Sequence, residues 1–99
     1  MAEGQCIAIV AYEVEAEDCD RFLDSWKIAN DFLKEQSGFA STTLHRAESA
    51  NPDFRFVNIS CWESDDAFRE ATQSQGFRDA SGRLEAFPIH AAVYEVMET

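Results

Sequence analysis

Residues 54–63 read Phe-Arg-Phe-Val-Asn-Ile-Ser-Cys-Trp-Glu, and this stretch decides the fold. Aromatic and β-branched residues dominate it, and neither Gly nor Pro interrupts it, so it reads as a strand. With a period of two, Phe54, Phe56, Asn58, Ser60 and Trp62 share one face, and Arg55, Val57, Ile59 and Cys61 share the other. Both faces carry apolar side chains. A strand of this kind needs cover on two sides.

Working downstream, Ser64 is placed to cap a helix whose first turn holds Asp65 and Asp66, and which runs to about Gln73. Gly76 is expected to interrupt it, with a further short helical piece from Phe77 to Leu84. Phe87-Pro88 ends that piece, and Ile89 to Met97 forms the last strand. Upstream, Glu48 to Asp53 contains Asn51-Pro52 and reads as a turn, and Phe39 to Arg46 alternates as a second strand. Ser37-Gly38 closes a helix opened by Glu17 and Asp18, with Gly38 suited to a left-handed terminal position. In that helix Phe22, Trp26, Ala29 and Leu33 follow a 4-3-4 spacing on one face, widened by Ile28 and Phe32. Gln5 to Glu15 is the first strand.

The order is therefore β-α-β-β-α-β, an α+β ferredoxin-like arrangement with an antiparallel four-stranded sheet and both helices on one face. Residues 1–99 hold no repeat, low-complexity tract or linker and read as one domain. Helices on one side leave the other side bare, yet Ile7 and Ile9 oppose Val10 and Val14 in register as Phe56 opposes Val57. Sheet-to-sheet pairing in a homodimer answers both registers.

Nineteen acidic against eight basic residues give a formal charge of −11, which repels nucleic acid and anionic membranes. The longest apolar run, Ile7 to Tyr12, is far short of the roughly 20 residues a membrane span needs. The first residues show no basic, apolar secretory pattern. Cys6, Cys19 and Cys61 are odd in number and widely spaced, which suits reduced thiols in a cytoplasmic setting and neither a disulfide framework nor a metal site. Cys6 and Cys61 read as small core hydrophobes.

The polar positions of residues 54–63 carry the chemical interest. An amide between aromatics in mid-strand is costly unless its hydrogen bonds are met, by a neighbour, a water or a ligand. Asn58 and Ser60, walled by Phe56 and Trp62, could line a small-molecule pocket. Trp26 and Phe68 from the two helices are its expected further lining, and Arg83 is a candidate for its mouth. His45 is the candidate proton acceptor by its chemistry.

Phe56-Val57-Asn58-Ile59, Trp62-Glu63-Ser64, Ala67-Phe68, Ala71 and Phe77 resemble the antibiotic biosynthesis monooxygenase family. Ser37-Gly38-Phe39 and Ala92-Val93-Tyr94-Glu95-Val96 extend the resemblance along nearly the whole chain. It implies a dimeric α+β barrel with one pocket per subunit. Founding members oxidise polycyclic phenols or anthrones to quinones with molecular oxygen and no flavin, haem or metal, so the implied cofactor set is none and the implied partner a small aromatic substrate. In them an Asn and a Trp separated by three residues contact the substrate, and Asn58 and Trp62 match in identity and spacing. A Tyr six residues beyond that Trp is replaced here by Phe68. A haem-degrading branch carries an iron-binding His where Ser81 stands, a second Trp where Ala71 stands and an Asn on strand one that has no counterpart between Cys6 and Tyr12. Haem degradation is accordingly not expected. The remaining alternatives are a non-catalytic ligand-binding or stress-associated dimer, and a cyclase or isomerase with His45 as base.

Overall fold

The computed structural model describes residues 6–99. Strands β1 (Cys6–Tyr12), β2 (Phe39–Arg46), β3 (Phe56–Trp62) and β4 (Ile89–Tyr94) pair antiparallel in the order β2-β3-β1-β4. Helices α1 (Cys19–Leu33), α2 (Asp65–Thr72) and α3 (Gln75–Ala80) complete the ferredoxin-like α+β arrangement. The expected start of the first strand at Gln5 lies outside the described residues. Glu17 and Asp18 form a 3-10 turn that leads into α1 instead of belonging to it.

Cross-strand partners fix which side chains meet the helices. Trp62 pairs with Cys6 and Phe39, Ser60 with Ala8 and Thr42, Asn58 with Val10 and Leu44, and Phe56 with Tyr12 and Arg46. Large side chains stand at the two ends of this face and small or polar ones in its middle. The apolar core divides accordingly. One cluster gathers Tyr12, Val14, Phe22, Ala29, Phe56, Leu84 and Phe87, and the other gathers Cys6, Trp62 and Ala71. Phe22 anchors the first, stacking on Phe56 at 4.5 Å between centroids and meeting Phe87 edge-on at 5.4 Å. Trp62 anchors the second, edge-on to Phe39 at 5.3 Å and Phe68 at 5.7 Å.

The expected helix face needs adjustment. Phe22, Ser25 and Ala29 are buried, Trp26 and Leu33 flank them half-buried, and Ile28 is 45% exposed. One residue along a helix is about 100° of rotation, so Ile28 turns away once Ala29 faces the sheet. Ser64 caps α2 as expected, its Oγ accepting from the Ala67 N–H at 3.1 Å. Gly76 does not interrupt the second helical region; it lies inside α3, where a Cβ would stand 2.5 Å from the Phe32 ring. The break belongs to Ser74, whose hydroxyl donates to the Ala71 carbonyl at 2.7 Å and accepts from the Phe77 N–H at 3.2 Å. One side chain thus ends α2 and starts α3.

The face of the sheet away from the helices carries Ile7, Ile9, Val57, Ile59 and Cys61, all half-buried, and the half-exposed Tyr94. Cys61 therefore belongs to this outer surface and not to the core, whereas Cys6 is buried as expected. Among the described residues the cysteines are free thiols, and no helix is long and apolar enough to cross a membrane.

Candidate functional site

Among the described residues no helix covers β4: all six of its residues are exposed, and Ile89 and Val93 are 52% and 42% accessible. Between this bare strand and helices α2 and α3 opens a cavity of about 450 Å³, within the range of small-molecule sites. Val10 and Tyr12 of β1, Phe68 of α2, Phe77 of α3, Leu84 and Phe87 give it apolar walls. Thr72, Ser81 and Glu85 bring the polar side chains.

Asn58 sits one strand inward, directly across from the wall residue Val10. It is 8% exposed, and its Oδ1 accepts a 2.8 Å hydrogen bond from the Thr42 hydroxyl. Its amide nitrogen has no protein partner among the described residues. No side-chain nitrogen or oxygen among them is sealed from solvent without one, so Nδ2 reaches accessible space on the helix side. Thr42 in effect holds one end of the amide and turns the donor end outward.

Trp62 is placed differently from the expectation. No part of it is exposed, and its indole N–H donates to Ser60 Oγ at 3.1 Å. It fills the core beside the polar strip and supports Phe68, a cavity wall, instead of presenting its N–H to a ligand. Ser60 is likewise engaged as the Trp62 acceptor. Phe56 is buried under Phe22, and Trp26 packs half-buried against the first cluster, so neither lines the cavity. Of the expected lining residues, Phe68 does.

His45 falls on the wrong face for a proton acceptor in this subunit. It is exposed on the outer side, opposite Val57, with Nδ1 3.3 Å from the Val57 carbonyl. A bulge between Phe39 and Ser41 is the cause. Strict alternation from Phe39 would carry His45 to the helix side; one extra residue reverses every later side chain. Arg83 is exposed and borders a separate depression with Arg21, Asp24, Ser25, Gly82 and Ala86. It is not at the mouth of the apolar cavity.

Tyr12 is the functional candidate that residue reading passed over. Burial pushes its phenol up to about 12, so it is a neutral donor at ordinary pH. Ser81, at the position where the haem-degrading branch has its ligand, faces the same cavity. Nothing in the strand pattern of β1 distinguishes Tyr12 from a core aromatic. Its situation depends on β4 having no helix above it.

The fold is that of a ferredoxin-like α+β protein with an apolar cavity between sheet and helices. The chain belongs to the antibiotic biosynthesis monooxygenase family, whose pattern matches residues 6–83. It is similar to a candidate monooxygenase from Shewanella loihica PV-4, with 26% identity, full coverage of both chains and a TM-score of 0.85. A variant of SnoaB, a cofactor-independent oxygenase from Streptomyces nogalater, shares the fold at 24% identity and a TM-score of 0.82, over 97% of this chain and 96% of that one. A dimeric ferredoxin-like protein of unknown function from Bacteroides fragilis shares it at 14% identity and a TM-score of 0.76, over 97% and 100% of the two chains. Among curated proteins no sequence matches.

Proposed function

We propose that this protein is a cofactor-independent monooxygenase that oxidises an aromatic phenol or anthrone, of the polyketide type, with molecular oxygen. The apolar cavity of about 450 Å³, with its few polar groups, carries this reading, because it offers a planar aromatic a site with apolar walls. The family and the SnoaB-like fold support it. Such a substrate supplies its own electrons. Loss of a proton from an anthrone methylene gives an enolate, and one electron passes from it to oxygen. The two radicals join into a hydroperoxide, which loses water, so that the CH₂ and O₂ leave as C=O and H₂O.

The protein's part is to hold the anion and exclude water. Asn58 stands outside the cavity lining, behind Val10. In this reading the substrate oxygen reaches past Val10 to its amide N–H, which the Thr42 bond to Oδ1 leaves free. Trp62 acts through packing, by fixing Ser60 and Phe68. Glu85 is the carboxylate among the cavity residues and takes the role of proton acceptor in place of His45.

The working unit in this reading is a homodimer. The outer face, with Ile7, Ile9, Val57 and Ile59 half-buried and no layer above it in one chain, is its interface. Sedimentation should give a dimer, and Ile59→Asp should shift it to monomer; a wild-type monomer at micromolar concentration rejects the assembly. For the chemistry, 1,8-dihydroxy-9-anthrone is supplied and oxygen uptake and quinone absorbance are followed. One oxygen consumed per quinone, well above the spontaneous rate, is expected. Binding without uptake would replace the monooxygenase with a non-catalytic ligand-binding dimer.

A further inference from the structure

We propose that Tyr12 is the hydrogen-bond donor that fixes the oxygen of an aromatic phenol or aryl ketone in the cavity. This rests on the reading of the cavity as a substrate site and names a recognition residue within it. The ring is held in place before any ligand arrives. It stands between Phe56 and Ile89 across the sheet and lies 4.8 Å from Phe22, tilted by 60°. Phe22 is itself completely buried and stacked on Phe56. A phenol fixed in this way loses little freedom when it donates a bond.

Its oxygen, by contrast, is uncommitted. Tyr12 is 6% exposed, yet its hydroxyl has no hydrogen-bond partner among the described residues, and no oxygen among them is sealed off without one. The hydroxyl therefore opens on accessible space, and Tyr12 is part of the cavity wall. A tyrosine in an apolar wall normally finds an acceptor for its O–H, and the oxygen of a ligand in this cavity is the acceptor that fits.

The other hydroxyls compete poorly. Thr72 Oγ1 is spent on the Phe68 carbonyl at 2.9 Å, and Phe68 brings no polar atom from its wall. Ser81, also without a side-chain partner, is a weaker acid than a phenol and hence a weaker donor. Because burial raises the Tyr12 phenol to about 12, it keeps its proton over the whole range in which a bound phenol ionises.

The test uses 2-hydroxyanthraquinone, which is inert to oxygen and changes its visible spectrum on ionisation. Tyr12→Phe keeps the ring and its contact with Phe22, so the variant should fold. Its affinity for the probe should fall about tenfold, the scale of one hydrogen bond to a charged acceptor. The bound probe should also ionise at a higher pH in the variant than in wild type, a shift that packing alone does not produce. Affinities within twofold and equal ionisation overturn the proposal. So does a tenfold loss in Ser81→Ala when Tyr12→Phe has none. Oxygen uptake with 1,8-dihydroxy-9-anthrone separates the two readings. Wild type that binds the probe through Tyr12 but consumes no oxygen refutes the monooxygenase and leaves this donor standing. Wild type that does not bind the probe even at millimolar concentration overturns both.

Discussion

The Thr42–Asn58 hydrogen bond, 2.8 Å long, lies on the helix side of the sheet between the two core clusters and is open to a double-mutant cycle. Thr42→Val removes the donor and keeps the shape, leaving Asn58 Oδ1 without its partner at a site only 8% exposed. An acceptor stranded in this way costs about 1–3 kcal/mol. For a chain of this size each 1 kcal/mol lowers the melting temperature by roughly 4–8 °C. Asn58→Leu has the opposite asymmetry. Thr42 is half-buried and its freed hydroxyl can turn to water, while the new side chain buries apolar surface between Val10 and Leu44. The net change should stay within about 1 kcal/mol. The double variant replaces both polar partners with apolar ones of similar shape and should be more stable than Thr42→Val alone, giving a coupling of about 1–2 kcal/mol. Urea unfolding of the four proteins measures it. Turnover of the anthrone should fall about 10²–10³-fold in Asn58→Leu with no matching loss of stability, as for removal of one oxyanion donor. Additive stabilities, with Thr42→Val as stable as wild type, would show that the bond does not hold in solution. Unchanged turnover in a destabilised Asn58→Leu would make Asn58 a structural residue.

Two further outcomes follow from the geometry. Gly38 has φ +86°, and a Cβ there would stand 2.5 Å from the Ala67 Cβ. Gly38→Ala should therefore lose about 2 kcal/mol or more, from left-handed backbone strain together with displacement of α2, read as a lowered urea midpoint. The second outcome concerns alkaline pH. Tyr12 has a folded value of about 12 against 10 for an ordinary tyrosine, so its contribution is fully present below pH 10 and is lost as pH rises toward 12. Over that window wild type should lose up to about 3 kcal/mol more than Tyr12→Phe, and equal pH profiles would place the phenol in water.

Much of the fold could be read from local chemistry. Phe39–Arg46 is a strand over the expected residues, and Ser64 caps α2 where its side chain directs. Gly38 is left-handed as expected but in the turn before β2, because α1 already ends at Leu33. The parity of β2 could not be read. Ala40 is an ordinary strand residue in sequence, and only the pairing with β3 shows that it is the extra one in a bulge. His45 moved to the outer face for that reason alone. The break between α2 and α3 shows a similar ambiguity. Gly76 is the obvious helix breaker, but it is required by the approach of Phe32, and Ser74 makes the break by capping in both directions. The site was half legible. A polar strip on β3 pointed to a gap in the core, but its occupants were misassigned, since Trp62 and Ser60 satisfy each other. The cavity wall depends on β4 standing clear of the helices, which strand periodicity does not encode.

The same arrangement that stabilises this sheet also divides its core. The rows Trp62–Cys6 and Phe56–Tyr12 carry rings that reach the helices and hold them off the sheet. Between them run two rows without an aromatic ring. One is Thr42, Ser60, Ala8 and Val93, and the other is Leu44, Asn58, Val10 and Ala91. Ser25 and Ala29, small residues both, are buried on α1. Side chains such as Ala8, Ser60 and Ala91 are too short to close a gap whose height is set by Phe22, Phe56 and Trp62, and the two clusters stay apart. The cavity opens beside this boundary, along the β4 edge, where Ile89 and Ala91 are exposed. Tyr12, whose hydroxyl has no partner among the described residues, stands in the wall of that cavity, and Asn58, with its free amide N–H, lies one strand inward behind Val10.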